Sequence, residues 1–311
     1  MNRRRVFQLF MGIATGSVAL RRSALYAQTG VRLTPLNDEL ALITGAGANL
    51  LVHRADDDGL LLVDSGVARE NGGIHFVLKN YLAAPVVYLI NTHWHPRHTG
   101  GNPNFGNGGA EIIAHVNCLK RLSASQHLTF PDQFVEPLPP EGLPKRTFVD
   151  SGELRHGSDI VQYKHLPPAH TDGDIVVRFA NANVYHCGDL FYNRIYPYID
   201  YGSGGSAEGM IASAARILNE ADARTTLIPG HGTVGVKAEL QAFHDMLADV
   251  TEKIDTMLRQ GNPLDRIQAA RPTARYEEAW GNGRLSGGEF VRLLYSGKIR
   301  QASAKEPLKA L

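Results

Sequence analysis

The chain has 311 residues, 43% of them hydrophobic, with 32 Lys and Arg against 31 Asp and Glu and a formal net charge of +1. That length and apolar content suffice to bury a large core in one or two domains. The near-neutral balance, with no basic patch interleaved with aromatics, argues against a nucleic-acid partner. The charge is unevenly spread. Residues 1–27 hold Arg3, Arg4, Arg5, Arg21 and Arg22 and no acid; without those five, the 32 basic residues fall to 27 against 31 acidic ones, a net of −4. Cys118 and Cys187 are the only cysteines, and their spacing carries no disulfide framework, so both are expected to be free thiols.

In chain order, residues 1–27 read as an export signal. Arg4-Arg5-Val6-Phe7 resembles the twin-arginine core, and the cut is expected after Ala27. The apolar run from Phe10 to Leu20 is shorter than the roughly 20 residues a membrane span needs. A periplasmic or secreted protein, carried by the twin-arginine export machinery and left without a stable membrane anchor, is expected. Leu40–Thr44, Asn49–His53 and Leu60–Val63 then read as a β-meander. Ile74–Leu82 is a short predicted helix, and Val86–Asn91, apolar and β-branched, a buried strand. Glu111–His115 is a further strand and Val116–Ala124 a helix; His115 at their junction reads as structural. Leu128–Lys145 is Pro-rich and breaks the pattern, as a loop over the site or a surface connection. Thr147–Leu166 and Ile175–Cys187 alternate like antiparallel strands, with a hairpin turn at Asn181-Ala182-Asn183. Tyr192–Ser206, rich in Tyr and Gly, is placed to line a pocket, and Ser206–Ala221 is helical. Leu240, Phe243, Leu247, Val250, Ile254 and Leu258 recur at helical spacing, and Gly261 stops that helix. It reads as a packing helix, with a last short one over Phe290–Leu294.

The chemistry-bearing residues fall at the ends of the apolar runs, where α/β folds place their sites. Asn91-Thr92-His93-Trp94-His95-Pro96-Arg97-His98-Thr99-Gly100-Gly101 sets three histidines within six residues. His93 and His95 point the same way on an extended chain, and His98 follows on a tight turn. Gathered imidazoles suit zinc or iron. His170 lies in Ala169-His170-Thr171-Asp172-Gly173-Asp174, Asp189 closes Val184–Asp189, and His231 sits between Gly230 and Gly232. The ordered set HxHxxH, HTxGD, GD and GHG, with the upstream strand–Asp64–x–Gly66 element, resembles the metallo-β-lactamase superfamily, also called the glyoxalase II-like hydrolases, from about Leu40 to Gly232.

That resemblance implies a four-layer αββα sandwich of two mixed β-sheets over residues 28–235, with residues 236–311 as a helical extension packed on it. It implies that His93, His95 and His170 bind a first metal, that His98 and His231 bind a second, and that Asp189 bridges the two. Asp64 would support the ligands from behind. The expected cofactor is zinc, one ion or two, with iron as the alternative. Arg97 departs from the pattern, because the family has a metal-binding Asp there. A guanidinium binds no metal, and its charge repels a dication. Three readings follow: a hydrolase in which metal-activated water attacks a lactam, lactone or ester-like carbonyl of a small molecule, an iron-dependent oxidoreductase of the same fold, or a non-catalytic binding member. In the first, Asp189 orients water and Arg97 clamps an anionic group of the substrate.

Overall fold

The computed structural model describes residues 30–55, 58–130 and 132–305; the expected export signal over residues 1–27 lies outside them. In β2 (Leu40–Thr44), Leu40 and Leu42 face one way, and Ala41 and Ile43 the other. β3 (Leu50–Ala55) and β4 (Gly59–Val63) repeat this two-sided apolar pattern. A strand apolar on both faces must be covered on both. These strands join β1 (Arg32–Pro35), β5 (Val86–Ile90), β6 (Glu111–His115) and β9 (Arg146–Phe148) in one sheet, antiparallel from β1 to β4 and parallel from β4 onward. The second sheet runs β10 (Ser151–His156), β11 (Asp159–His165), β12 (Ile175–Phe179), β13 (Val184–Tyr192) and β14 (Thr226–His231), with its only parallel pair at β13–β14.

Leu42, Leu61 and Ile90 of the first sheet meet Ile175, Phe179 and Ile228 of the second in a buried layer. Outside the first sheet lie Ile74, Val77 and Leu78 of α1 (Asn71–Tyr81). Outside the second lie α5 (Ala207–Glu220), α6 (Lys237–Arg259) and α9 (Gly287–Lys305). The result is the αββα sandwich. On α6, Leu240, Phe243, Leu247, Val250 and Ile254 are all fully buried; each contributes about 1.5–3 kcal/mol by leaving water. The short helices are α2 (Pro96–Thr99), α3 (Asn102–Asn107), α4 (Val116–Leu122), α7 (Leu264–Ala269) and α8 (Glu277–Trp280). Among the described residues no helix is long and apolar enough to cross a membrane.

Two stretches differ from the sequence reading. The Pro-rich segment carries a hairpin of β7 (Gln126–Thr129) and β8 (Asp132–Val135). Its strands are four residues long and mostly polar, too short for a period-two signal. The last helix is 19 residues long, not a short turn around Phe290. Its second half is held by charge: Lys298 reaches Glu208 of α5 and Asp255 of α6, and apolar periodicity cannot show that.

Candidate metal centre

Parallel pairing brings the carboxyl ends of β4, β5 and β6 to one edge of the sandwich, and β13 and β14 end at the same edge of the other sheet. Asp64, at the end of β4, adopts a left-handed backbone with φ 61°, a strain of about 1–3 kcal/mol for a non-glycine residue. Its carboxylate offsets that by accepting from Thr92 N at 2.8 Å, Thr92 Oγ1 at 2.8 Å and His98 Nδ1 at 2.7 Å. The chain therefore bends at Thr92 rather than running on extended. His93 and His95 converge across this bend, not by strand alternation, with ring centroids 4.9 Å apart. His95 stands just before the one-turn helix α2, which carries Arg97 and His98.

His170 is set by a closed turn. Asp174 accepts from His170 N at 2.7 Å and Thr171 N at 2.8 Å, and Arg121 forks Asp172 with two bonds of 2.7 Å. Asp189 comes from β13 and His231 from β14. A side chain at Gly230 would put its Cβ 1.9 Å from Asp189 Oδ1, so glycine there keeps the room that the carboxylate occupies. Asn49 locks the same turn by donating to Pro229 O at 2.9 Å and Gly232 O at 2.8 Å.

The sequence-predicted residues meet in two groups of donor atoms. His93, His95, His170 and Asp189 form one, and His98, Asp189 and His231 the other. In the first group each ring has its far nitrogen occupied. His93 Nδ1 lies 3.1 Å from Thr92 Oγ1, His95 Nε2 is 3.0 Å from Asp200 Oδ2, and His170 Nδ1 is 2.8 Å from the Tyr198 carbonyl. These acceptors fix the tautomers, and lone pairs are left facing inward. His95 Nδ1 and His170 Nε2 then confront each other at 2.8 Å. Two lone pairs at that distance repel unless a cation lies against both. His93 Nε2 is buried without a hydrogen-bond partner, and His98 Nε2 faces Asp189 Oδ1 at 3.2 Å. This donor set fits a metal ion, with three imidazoles and one carboxylate suiting zinc.

Burial pushes His93 well below the ordinary histidine range, helped by the neighbouring His98 and His170 rings. Burial also lowers His170, and it brings His231 down to about 4. His98 is the exception: burial opposes its charge, but Asp189 and Asp64 outweigh it and push it up to about 10. Asp189 is held well below the usual carboxylate range against burial, by His231, His98 and His170. A cation is favoured between these carboxylates.

Arg97 Nη1 donates to Gly47 O at 3.0 Å, and its side chain lines the cleft above the centre with Asp189 and His231. Its pKa is lowered by burial and then by Arg284 and Arg69, while Asp189 raises it. Cys187 is a buried free thiol outside both donor groups, as is Cys118. Within the segment read as pocket-lining, the roles of two residues escape the sequence reading. Asp200 receives His95 Nε2 and accepts from Ser203 Oγ at 2.6 Å; the only trace it leaves in the sequence is an Asp three residues before a Ser, a weak turn signal. Tyr192 donates to Asp189 Oδ2 at 2.5 Å. The segment expected to line a pocket does so through Tyr192, Tyr196 and Tyr198, joined by Asn282–Leu285 from the C-terminal extension.

Residues 44–231 match the family model described as the metallo-beta-lactamase superfamily. No curated protein matches the sequence. Among solved structures, a metallo-beta-lactamase from Pontibacter korlensis is similar at 15% identity and TM-score 0.57, over 70% of this chain and 99% of that one. DIM-1 metallo-beta-lactamase is similar at 19% identity and TM-score 0.56, over 70% and 97%. A double mutant of the sec-alkyl sulfatase PisA1 is similar at 14% identity and TM-score 0.67, over 93% of this chain and 54% of that one. At these identities the likeness is one of fold.

Proposed function

This chain belongs to the metallo-beta-lactamase superfamily, and on that footing we propose that it is an exported metal-dependent hydrolase acting on a small carbonyl substrate of the lactam, lactone or ester type. The confrontation of His95 Nδ1 and His170 Nε2 at 2.8 Å, beside the Asp189 carboxylate, carries the reading. His93, His95, His170 and Asp189 would hold one zinc ion. When bound, it would supply Lewis acidity and lower the pKa of water towards about 7. Asp189 would orient the attacking water and accept its proton, while the Tyr192 hydroxyl fixes the carboxylate. Asp200, Thr92 and the Tyr198 carbonyl would orient the three rings, and Asp64 would orient His98. Arg97, standing where the family has a metal-binding Asp, would weaken the second group to partial occupancy. Residues 1–27 would direct the chain through the twin-arginine route.

A second reading has its own support. The likeness to the sec-alkyl sulfatase runs over 93% of the chain, whereas the two lactamases are matched over 70%. A sulfate ester is then the alternative substrate. Plasma mass spectrometry on the mature protein, purified without chelator, tests the common premise. About one zinc per chain, with hydrolysis of a lactam, lactone, ester or sulfate ester, is the expected outcome. Iron would turn the reading to redox chemistry, and no metal would make the chain a non-catalytic binder.

A further inference from the structure

The cleft above the metal centre has a volume of about 560 Å³. That is within the range of sites for drug-sized molecules, roughly 300–1,000 Å³, and a water and a bare inorganic ion would leave most of it empty. Three guanidiniums, from Arg69, Arg97 and Arg284, border it. Arg69 is spent on an exposed pair with Glu70 at 3.4 Å. Arg97 and Arg284 differ: among the described residues neither has a carboxylate within 4 Å, and Arg97 makes its bond to a neutral carbonyl, Gly47 O. Half-buried cations are ordinarily paired. Arg97 is half-buried and Arg284 exposed. Asp189 lines the same cleft but lies beyond ion-pair distance of both, and the repulsion between the two guanidiniums is a cost that an anionic guest reduces. Apolar and aromatic side chains line it as well. Leu128 and Phe130 come from the β7–β8 hairpin, Ile195 and Tyr198 from the segment after β13, and Leu285 from the C-terminal extension. Arg284 lies over the Phe130 ring at 6.0 Å.

We propose that Arg97 and Arg284 form an oxyanion-binding subsite, and that the substrate is an amphiphilic organic monoanion whose aryl or alkyl body lies along the Phe130–Tyr198–Ile195 wall. This rests on the hydrolase reading for the word substrate, and not for the binding. The shared chemistry is a singly charged oxyanion, carboxylate or sulfate, on an apolar arm. A planar guanidinium fork receives either one through two parallel bonds. Arg284 reaches the cleft from residues 236–311, so the extension takes part in recognition and does more than pack.

Isothermal titration calorimetry with 4-phenylbutyrate, 4-phenylbutyl sulfate, neutral 4-phenylbutanol and cationic 4-phenylbutylamine tests this, on the metal-loaded protein and again after chelation. Both anions are expected to bind at least about tenfold tighter than the alcohol, the amine more weakly still, and the preference to weaken as salt rises. Arg284→Met and Arg97→Met should each cost the anions about tenfold and leave the alcohol unchanged. Phe130→Ala should weaken anions and alcohol alike. Arg284 is exposed, so its variant is expected to keep its fold, which far-ultraviolet circular dichroism verifies. Equal binding of acid and alcohol overturns the proposal. So does a preference that vanishes on chelation, because the metal and not the arginines would then hold the anion. If the preference stands but no ester, lactam, lactone or sulfate is cleaved, the hydrolase reading fails and the subsite survives.

Discussion

The two donor groups share Asp189 and differ in how firmly their other members are held. In the first, all three rings are buried and each is tied from behind, by Thr92, Asp200 or the Tyr198 carbonyl. In the second, His98 is tied to Asp64, but the His231 side chain is 20% exposed and meets Asp189 Oδ2 at 3.6 Å. Arg97 lines the cleft beside Asp189 and His231. A metal site is thus made by the residues that hold the ligands as much as by the ligands. On this view one half of the centre is built to completion and the other is left open.

The strongest test of that contrast is removal of a donor from the complete half. His93→Ala and His170→Ala should each bring bound metal to background by plasma mass spectrometry, a loss beyond the roughly 100-fold that outer partners cost. Full metal in either variant would remove that residue from the ligand set. Next comes the tether: Asp200→Asn should weaken metal affinity by about 10–100-fold, measured by competition with a chromophoric chelator. Unchanged affinity would mean that His95 is held by packing alone. The open half is tested in the opposite sense. Arg97→Asp should raise the metal content from about one ion per chain towards two, and a variant that binds no more metal than the parent would show that Arg97 is not what limits the second group.

The smallest effect separates the scaffold's titration from the centre's. His115 Nδ1 accepts from Asn117 N at 3.2 Å and so caps α4, a role only the neutral ring can fill. Burial, aided by the stacked His165 ring, brings it down to about 4. Its folded value lies below the ordinary 6.5, so the unfolded chain takes up the proton first as the pH falls. The stability it contributes is full above about 6.5 and is lost between there and about 4. His115→Asn keeps a capping acceptor and removes the titration. Urea unfolding at pH 7 and pH 4.5 should show the parent losing more stability than the variant. Equal losses would assign the whole acid limb to other groups.

The legible parts of the molecule were those written in apolar rhythm or in residue type. β2 and β6 have the expected bounds, and α5 runs from Ser206 as its capping residue to Glu220. The candidate donors are legible as an ordered set resembling a known family rather than one by one, and the structure brings them together. The tethers are not legible in this way. Asp200 meets His95 across 105 residues, and the Thr92 bend depends on a carboxylate 28 residues upstream. Neither spacing has a periodicity to reveal it. The β7–β8 hairpin escaped because proline and polar side chains hide strands this short. His115 was read as structural, and its bond to Asn117 N is a structural one.

The loop at Asn282–Leu285 has a consequence beyond the contacts it makes. It borders the cleft, yet it lies some fifty residues beyond His231, the last of the donors, and belongs to none of the strands that carry them. Leu285 is buried in the same apolar cluster as Phe191 and Leu227 of the donor-bearing strands, so exchanges at the exposed Asn282 and Arg284 are the ones that would alter what the cleft admits with least effect on those strands. The lining of the cleft and the donors at its floor are thus drawn from separate stretches of the sequence, so the two can be varied separately.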